Sequence, residues 1–143
     1  MRLKTKLGIA TAAVLLAGAV AAPAFAEGSY GWNSFSSANP GFASQNWTDR
    51  QNDSSATKVA YRYCGYSNGV AVTSLTVELW DQHGIYPDQK VGVSKLTSGC
   101  GSVSWAKTGS DYVLQNSTFF YRIDQMNQSY SNRWMSGQSL VTY

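Results

Sequence analysis

Hydrolytic chemistry in a small protein needs a base beside a nucleophile, or two carboxylates at a set separation. The chain offers one imidazole, His83, in the run Asp81-Gln-His83. Gly84 and Pro87 follow at once, so the run reads as a turn, where a lone histidine is ordinarily a solvated side chain. Serines are too plentiful for any one to stand out as a nucleophile. Glu78, Asp124, Arg62 and Arg122 fall on outward or mixed faces of strand-like runs, and cross-strand ion pairing is the expected use of all four. Asp49-Arg-Gln-Asn-Asp53 supplies oxygen ligands at short spacing but lacks the glycine hinge and closing glutamate of an EF-hand loop, so it reads as a structural turn. No catalytic residue, metal site or cofactor follows from these residues, and the chain is expected not to be an enzyme.

Cys64 and Cys100 are the two cysteines. Zinc would require two further Cys or His ligands, and His83 is the sole histidine. In an oxidising compartment two thiols make one bridge most economically. Closing that loop stabilises a fold by roughly 4 kcal/mol in the chain-entropy account.

The aromatic residues carry the best functional lead. Trp80 falls on the strand face opposite Leu75, Val77 and Leu79, and Tyr130 and Trp134 stand in a polar loop; exposed rings beside Asn and Gln hold sugars by stacking and amide hydrogen bonds. The structural alternative is that a small β protein fills its core with such rings, which is the favoured reading for Trp105 and stays open for Trp80 and Trp134. A second group, Trp32, Phe35, Phe42 and Trp47, punctuates a polar stretch with no sustained period. These rings dock on their own domain, dock on a partner, or stay wet. Asn46, Asn52, Asn116 and Asn127 each open an Asn-x-Ser/Thr triplet, a weak signal in a chain so rich in Asn and Ser.

The elements that position these residues are strands. Lys58 to Trp80 organises the rest: Val59 to Cys64 and Ser74 to Trp80 alternate with period two, with Leu75, Val77 and Leu79 on one face and Thr76, Glu78 and Trp80 on the other. Lys90–Leu96, with Val91 and Val93 on one face, Ser102–Trp105, Tyr112–Gln115, Thr118–Gln125 and Ser139–Tyr143 also read as strands. Asn116-Ser117 turns a hairpin, and Met126 to Gly137 is a long polar loop. About seven strands at short spacing predict an all-β fold, a single small antiparallel β-sandwich with one disulfide; a small β-barrel is the runner-up.

Residues 1–26 form a leader: Arg2, Lys4 and Lys6, an uncharged run from Leu7 to Ala22, then Ala24-Phe25-Ala26 as a cleavage site. Cleavage before Glu27 is expected, giving a secreted, extracellular protein with no membrane anchor. All eight acidic residues follow the leader, whereas three of the eleven basic ones lie within it, so the exported part is formally neutral. Neutrality argues against nucleic acid or an anionic membrane as partner. The exported length suits one core, divided into an irregular aromatic arm over 27–57 and a disulfide-pinned sandwich over 58–143.

At Trp32-Asn-Ser, Pro40-Gly-Phe, Trp47-Thr-Asp and the strand leading into Cys64, the chain resembles small exported proteins of actinobacteria over residues 30–143. Some of these are connectors in umbrella toxin particles, where a β-sandwich protein joins a lectin-bearing subunit to a toxin-carrying stalk by inserting its N-terminal segment into a partner. The resemblance implies a non-enzymatic interaction protein whose arm, through Trp32, Phe35, Phe42 and Trp47, docks on another exported protein. Polysaccharide binding through Trp80, Tyr130 and Trp134 is the alternative, and inhibition of an exported hydrolase a third.

Overall fold

The computed structural model describes residues 28–50, 55–97, 99–106, 117–127 and 134–143. The leader therefore lies outside the described residues. Eight strands form among the described residues: β1 (Ser29–Ala38), β2 (Trp47–Asp49), β3 (Thr57–Tyr66), β4 (Leu75–Gln82), β5 (Gln89–Leu96), β6 (Ser102–Trp105), β7 (Ser117–Met126) and β8 (Met135–Thr142). They build two antiparallel four-stranded sheets, ordered β1-β8-β3-β6 and β2-β7-β4-β5. The all-β sandwich expected from the alternating runs is what forms.

The core follows from that alternation. Val59 and Tyr61 of β3 and Val141 of β8 face Leu75, Val77 and Leu79 of β4 and Phe119, Tyr121 and Ile123 of β7, all buried. Burying a side chain of this size contributes about 1.5–3 kcal/mol. At one end Trp105 lies over Gly92, where a Cβ would come within 2.8 Å of the indole Cδ1. The glycine is what lets β6 approach β5 so closely.

A disulfide joins Cys64 to Cys100 with a Cα separation of 5.7 Å. It ties the end of β3 to the segment entering β6. The loop it closes carries β4 and β5 of the other sheet, so the bridge joins two neighbouring strands of one sheet across an excursion through the second.

Residues 27–57 read as an irregular arm in the sequence, and for the described residues 28–50 and 55–57 the structure corrects this, setting strands from this stretch in both sheets. β1 runs along β8 from Ser29↔Thr142 to Ala38↔Met135. β2 pairs with β7, and between them Gly41 N–H donates to Ile123 O at 2.7 Å and Ser44 N–H to Tyr121 O at 2.9 Å. Two register shifts in β1 each set three of its residues against two of β8. The inward positions accordingly run Tyr30, Asn33, Phe35 and Ala38, a spacing that carries neither strand nor helix period. Ser37, at φ 60°, sits within the second shift.

Other departures are smaller. β8 begins at Met135, ahead of the expected Ser139. A register shift between Leu79 and Trp80 separates Val91, packed on the core, from Val93, which is exposed. Tyr112–Gln115 falls outside the described residues, and the two edges of β7 are taken by β2 and β4. The first and last described residues meet: Gly28 N–H donates to Tyr143 O at 2.8 Å and Tyr143 N–H returns to Gly28 O at 3.0 Å. Among the described residues no helix is long and apolar enough to cross a membrane.

Candidate recognition surface

The outer face of the β1-β8-β3-β6 sheet gathers a row of polar groups across three strands. Register places Gln138 opposite both Ser34 of β1 and Arg62 of β3. Arg62 Nε donates to Gln138 Oε1 at 2.8 Å, and Gln138 Nε2 donates to Ser34 Oγ at 3.3 Å. The guanidinium lies over the Trp32 ring, 4.0 Å from its centroid, and 5.2 Å from the centroid of Tyr63. Trp32 is exposed, and Tyr63 more so at 77 %.

Tyr63 reaches this face through its backbone. Strict alternation after Tyr61 would turn it inward. Instead β3 shifts register between Arg62 and Gly65, and Tyr63 adopts φ 55°, the left-handed region that L side chains rarely occupy. Such a bulge re-aims a side chain at a local cost of about 1–2 kcal/mol. Nothing in the run Tyr61-Arg-Tyr-Cys-Gly65 signals this, and sequence reasoning missed both Tyr63 and the role of Arg62.

Arg62, like Lys58 on the same strand, is a cation with no carboxylate partner among the described residues. The expected cross-strand ion pairing holds for Glu78 and Arg122, which are directly opposed. Among the described residues no carboxylate lies within ion-pair distance of Arg62. Its charge therefore faces outward, flanked by two rings.

The opposite outer face is built around Glu78. Its buried carboxylate accepts from Lys90 Nζ at 2.9 Å, from Arg122 at 2.9 Å and from Trp80 Nε1 at 2.8 Å. Burial alone would raise its pKa, but the hydrogen bonds from Lys90, Trp80 and Arg122 outweigh that and hold it below the usual carboxylate range. Trp80 stacks with Phe120 at 6.3 Å and has the Arg122 guanidinium 4.4 Å from its centroid. Half-buried and engaged at its N–H and over its ring, Trp80 braces this face. Trp134 is exposed just ahead of β8, and Tyr130 lies outside the described residues.

Of the four arm rings, only Trp32 faces outward. Phe35 packs 5.7 Å from Phe42 and 6.3 Å from Tyr61. Trp47 is buried at 4 % exposure between Phe119 and Tyr143. The physical reason is that β1 and β2 are edge strands of the two sheets, and apolar rings on them close the sandwich. A buried Trp47 is not available to a partner, which corrects its expected role. Asn127 is likewise committed: its Oδ1 accepts from Tyr66 Oη at 2.8 Å and from Thr73 N at 3.0 Å.

His83 Nε2 lies 2.6 Å from buried Asp81 Oδ2, and among the described residues the ring has no other hydrogen-bond partner. Beyond it Ile85 and Tyr86 form an exposed hairpin tip. Asp49 is buried within β2; Asp53 lies outside the described residues. Among the described residues no cluster of three His, Cys, Asp or Glu could hold a metal ion. Comparison of the chain with family models, with curated proteins and with solved structures finds no match.

Proposed function

We propose that this protein is an exported, non-enzymatic recognition protein that holds an acidic site on a partner protein against Trp32, Arg62 and Tyr63. The observation behind this reading is the setting of Arg62, a cation without a carboxylate, fixed by Gln138 and flanked by two exposed rings. Trp, Tyr and Arg are the residue types that dominate binding hot spots. A guanidinium already held in place loses little freedom on binding, and its remaining N–H groups suit a carboxylate. Export is supported by the leader at residues 1–26 and by the disulfide.

This reading keeps the interaction role that the resemblance to toxin-particle connectors implies, and moves the contact. Trp32 serves the partner, while Phe35, Phe42 and Trp47 serve the fold. Exposed Trp134 supports a second reading, polysaccharide binding.

The test is capture from the culture fluid of the producing cells on immobilised wild-type protein, beside Trp32→Ala and Arg62→Ala. One protein is expected on the wild type and depleted about tenfold or more on each variant, the loss of a hot-spot residue. Equal retention on all three overturns the proposal. Retention of a polysaccharide that Trp134→Ala abolishes selects the second reading.

A further inference from the structure

The two sheets do not close completely where β1 faces β7. A cleft of about 270 Å³ opens there into the interior. Tyr30 and Asn33 of β1 and Phe42 and Gln45 of the β1–β2 connection wall it, and buried Tyr121 and Ser139 lie at its base. The first register shift of β1 is what turns Asn33 toward it.

No lining residue carries a charge. An ion entering would lose hydration with nothing to replace it, and a purely apolar molecule would strip water from amides and hydroxyls without return. The polar groups are still able to bond. Tyr121 Oη donates to Ser139 Oγ at 2.9 Å, which leaves the serine its own proton to donate. Asn33 Nδ2 donates to Gly31 O at 2.7 Å, which leaves its Oδ1 as an acceptor. The Gln45 side-chain amide has no partner among the described residues. Burial raises the Tyr121 hydroxyl above its ordinary value, so it remains a neutral donor. Ring faces from Tyr30 and Phe42 supply surface for C–H groups.

We infer that this cleft binds one neutral, hydroxyl-rich ring, a single uncharged sugar unit. The requirements converge on that class: C–H faces for the rings, several hydroxyls for the amide and serine groups, and no charge. The volume lies just below that of ligand pockets, which run from about 300 Å³ upward, and so suits no more than one ring. Ser34 borders both this cleft and the outer polar row, but Trp32, Arg62 and Tyr63 do not line the cleft.

The test is a backbone-amide NMR titration of the exported chain with glucose, galactose, mannose and N-acetylglucosamine, with glucuronate and cyclohexanol as the charged and apolar probes. At least one neutral sugar is expected to shift Ser44, Tyr121 and Ser139 saturably. Asn33→Ala combined with Gln45→Ala, both exposed positions whose unchanged spectrum elsewhere reports an intact fold, should weaken that binding about tenfold. Arg62→Ala should leave it unchanged, which separates this site from the partner-docking face. Absence of binding by all four sugars overturns the inference. So does sugar binding indifferent to the double variant, or equal binding of glucuronate or cyclohexanol.

Discussion

Arg62 rests over the ring of Trp32 at 4.0 Å although their strands are not neighbours: β8 runs between β1 and β3. The contact therefore reports that all three strands are in register, with Gln138 of the middle strand steering the guanidinium. A cation over an exposed ring contributes about 0.5–1 kcal/mol. A double-mutant cycle with Trp32→Ala and Arg62→Ala, read from urea midpoints, should give a coupling of about that size. Strict additivity would mean the two groups do not meet in solution.

Tyr63 is held in a left-handed conformation in order to face outward. Tyr63→Gly removes that strain while giving the unfolded chain more freedom, so stability should stay within about 1 kcal/mol of wild type. Tyr63→Val, β-branched at a positive φ, should cost more, about 2 kcal/mol. Equilibrium denaturation separates the two, and equal losses would argue against the bulge. Partner capture should fall for both.

Glu78 accepts from three side chains on the second sheet, Lys90, Arg122 and Trp80. Its folded pKa is depressed relative to the unfolded chain, so its contribution is complete above the unfolded value and is lost as pH falls through the folded one. The unfolded value is about 4.3, which places the loss on the acid side of that point. Glu78→Gln should cost about 2 kcal/mol at neutral pH. Urea midpoints of variant and wild type should converge as the solution is acidified below pH 4. Midpoints that stay a constant distance apart would show that the charge of Glu78 is not what stabilises.

The bridge between Cys64 and Cys100 closes a loop that carries half of the second sheet. Replacing both by alanine should lower stability by roughly 4 kcal/mol, seen as a shift of the guanidinium midpoint. A loss below about 1 kcal/mol would mean that β3 and β6 are held together by their pairing alone.

The strands that could be read directly are those with uninterrupted alternation. Leu75, Val77 and Leu79 are all sealed in the core, and Ser102–Trp105 forms a strand with the bounds expected of it. β1 was hidden because two extra residues break its alternation, leaving Tyr30, Asn33, Phe35 and Ala38 at uneven spacing. That Trp80 lies on the face opposite Leu75, Val77 and Leu79 was legible, but whether that face is wet and what Trp80 does there were not. Its partners Phe120 and Arg122 depend on the register of β4 with β7, which no local pattern encodes. Tyr63 carried no glycine or asparagine to announce a positive φ. The sugar cleft depends on how residues 42–45 stand off from β1, a relation between two segments and a property of neither.

Gly28 and Tyr143 exchange both of their backbone hydrogen bonds, so the two described extremities of the polypeptide share one corner of the molecule. A short linker joining residue 143 to residue 28, with the backbone opened between Gly84 and Ile85 at the exposed tip, would give a circular permutant with the same eight strands. A cargo fused to such new ends would project from the β4–β5 hairpin, at a distance from the edge where Gly28 and Tyr143 lie.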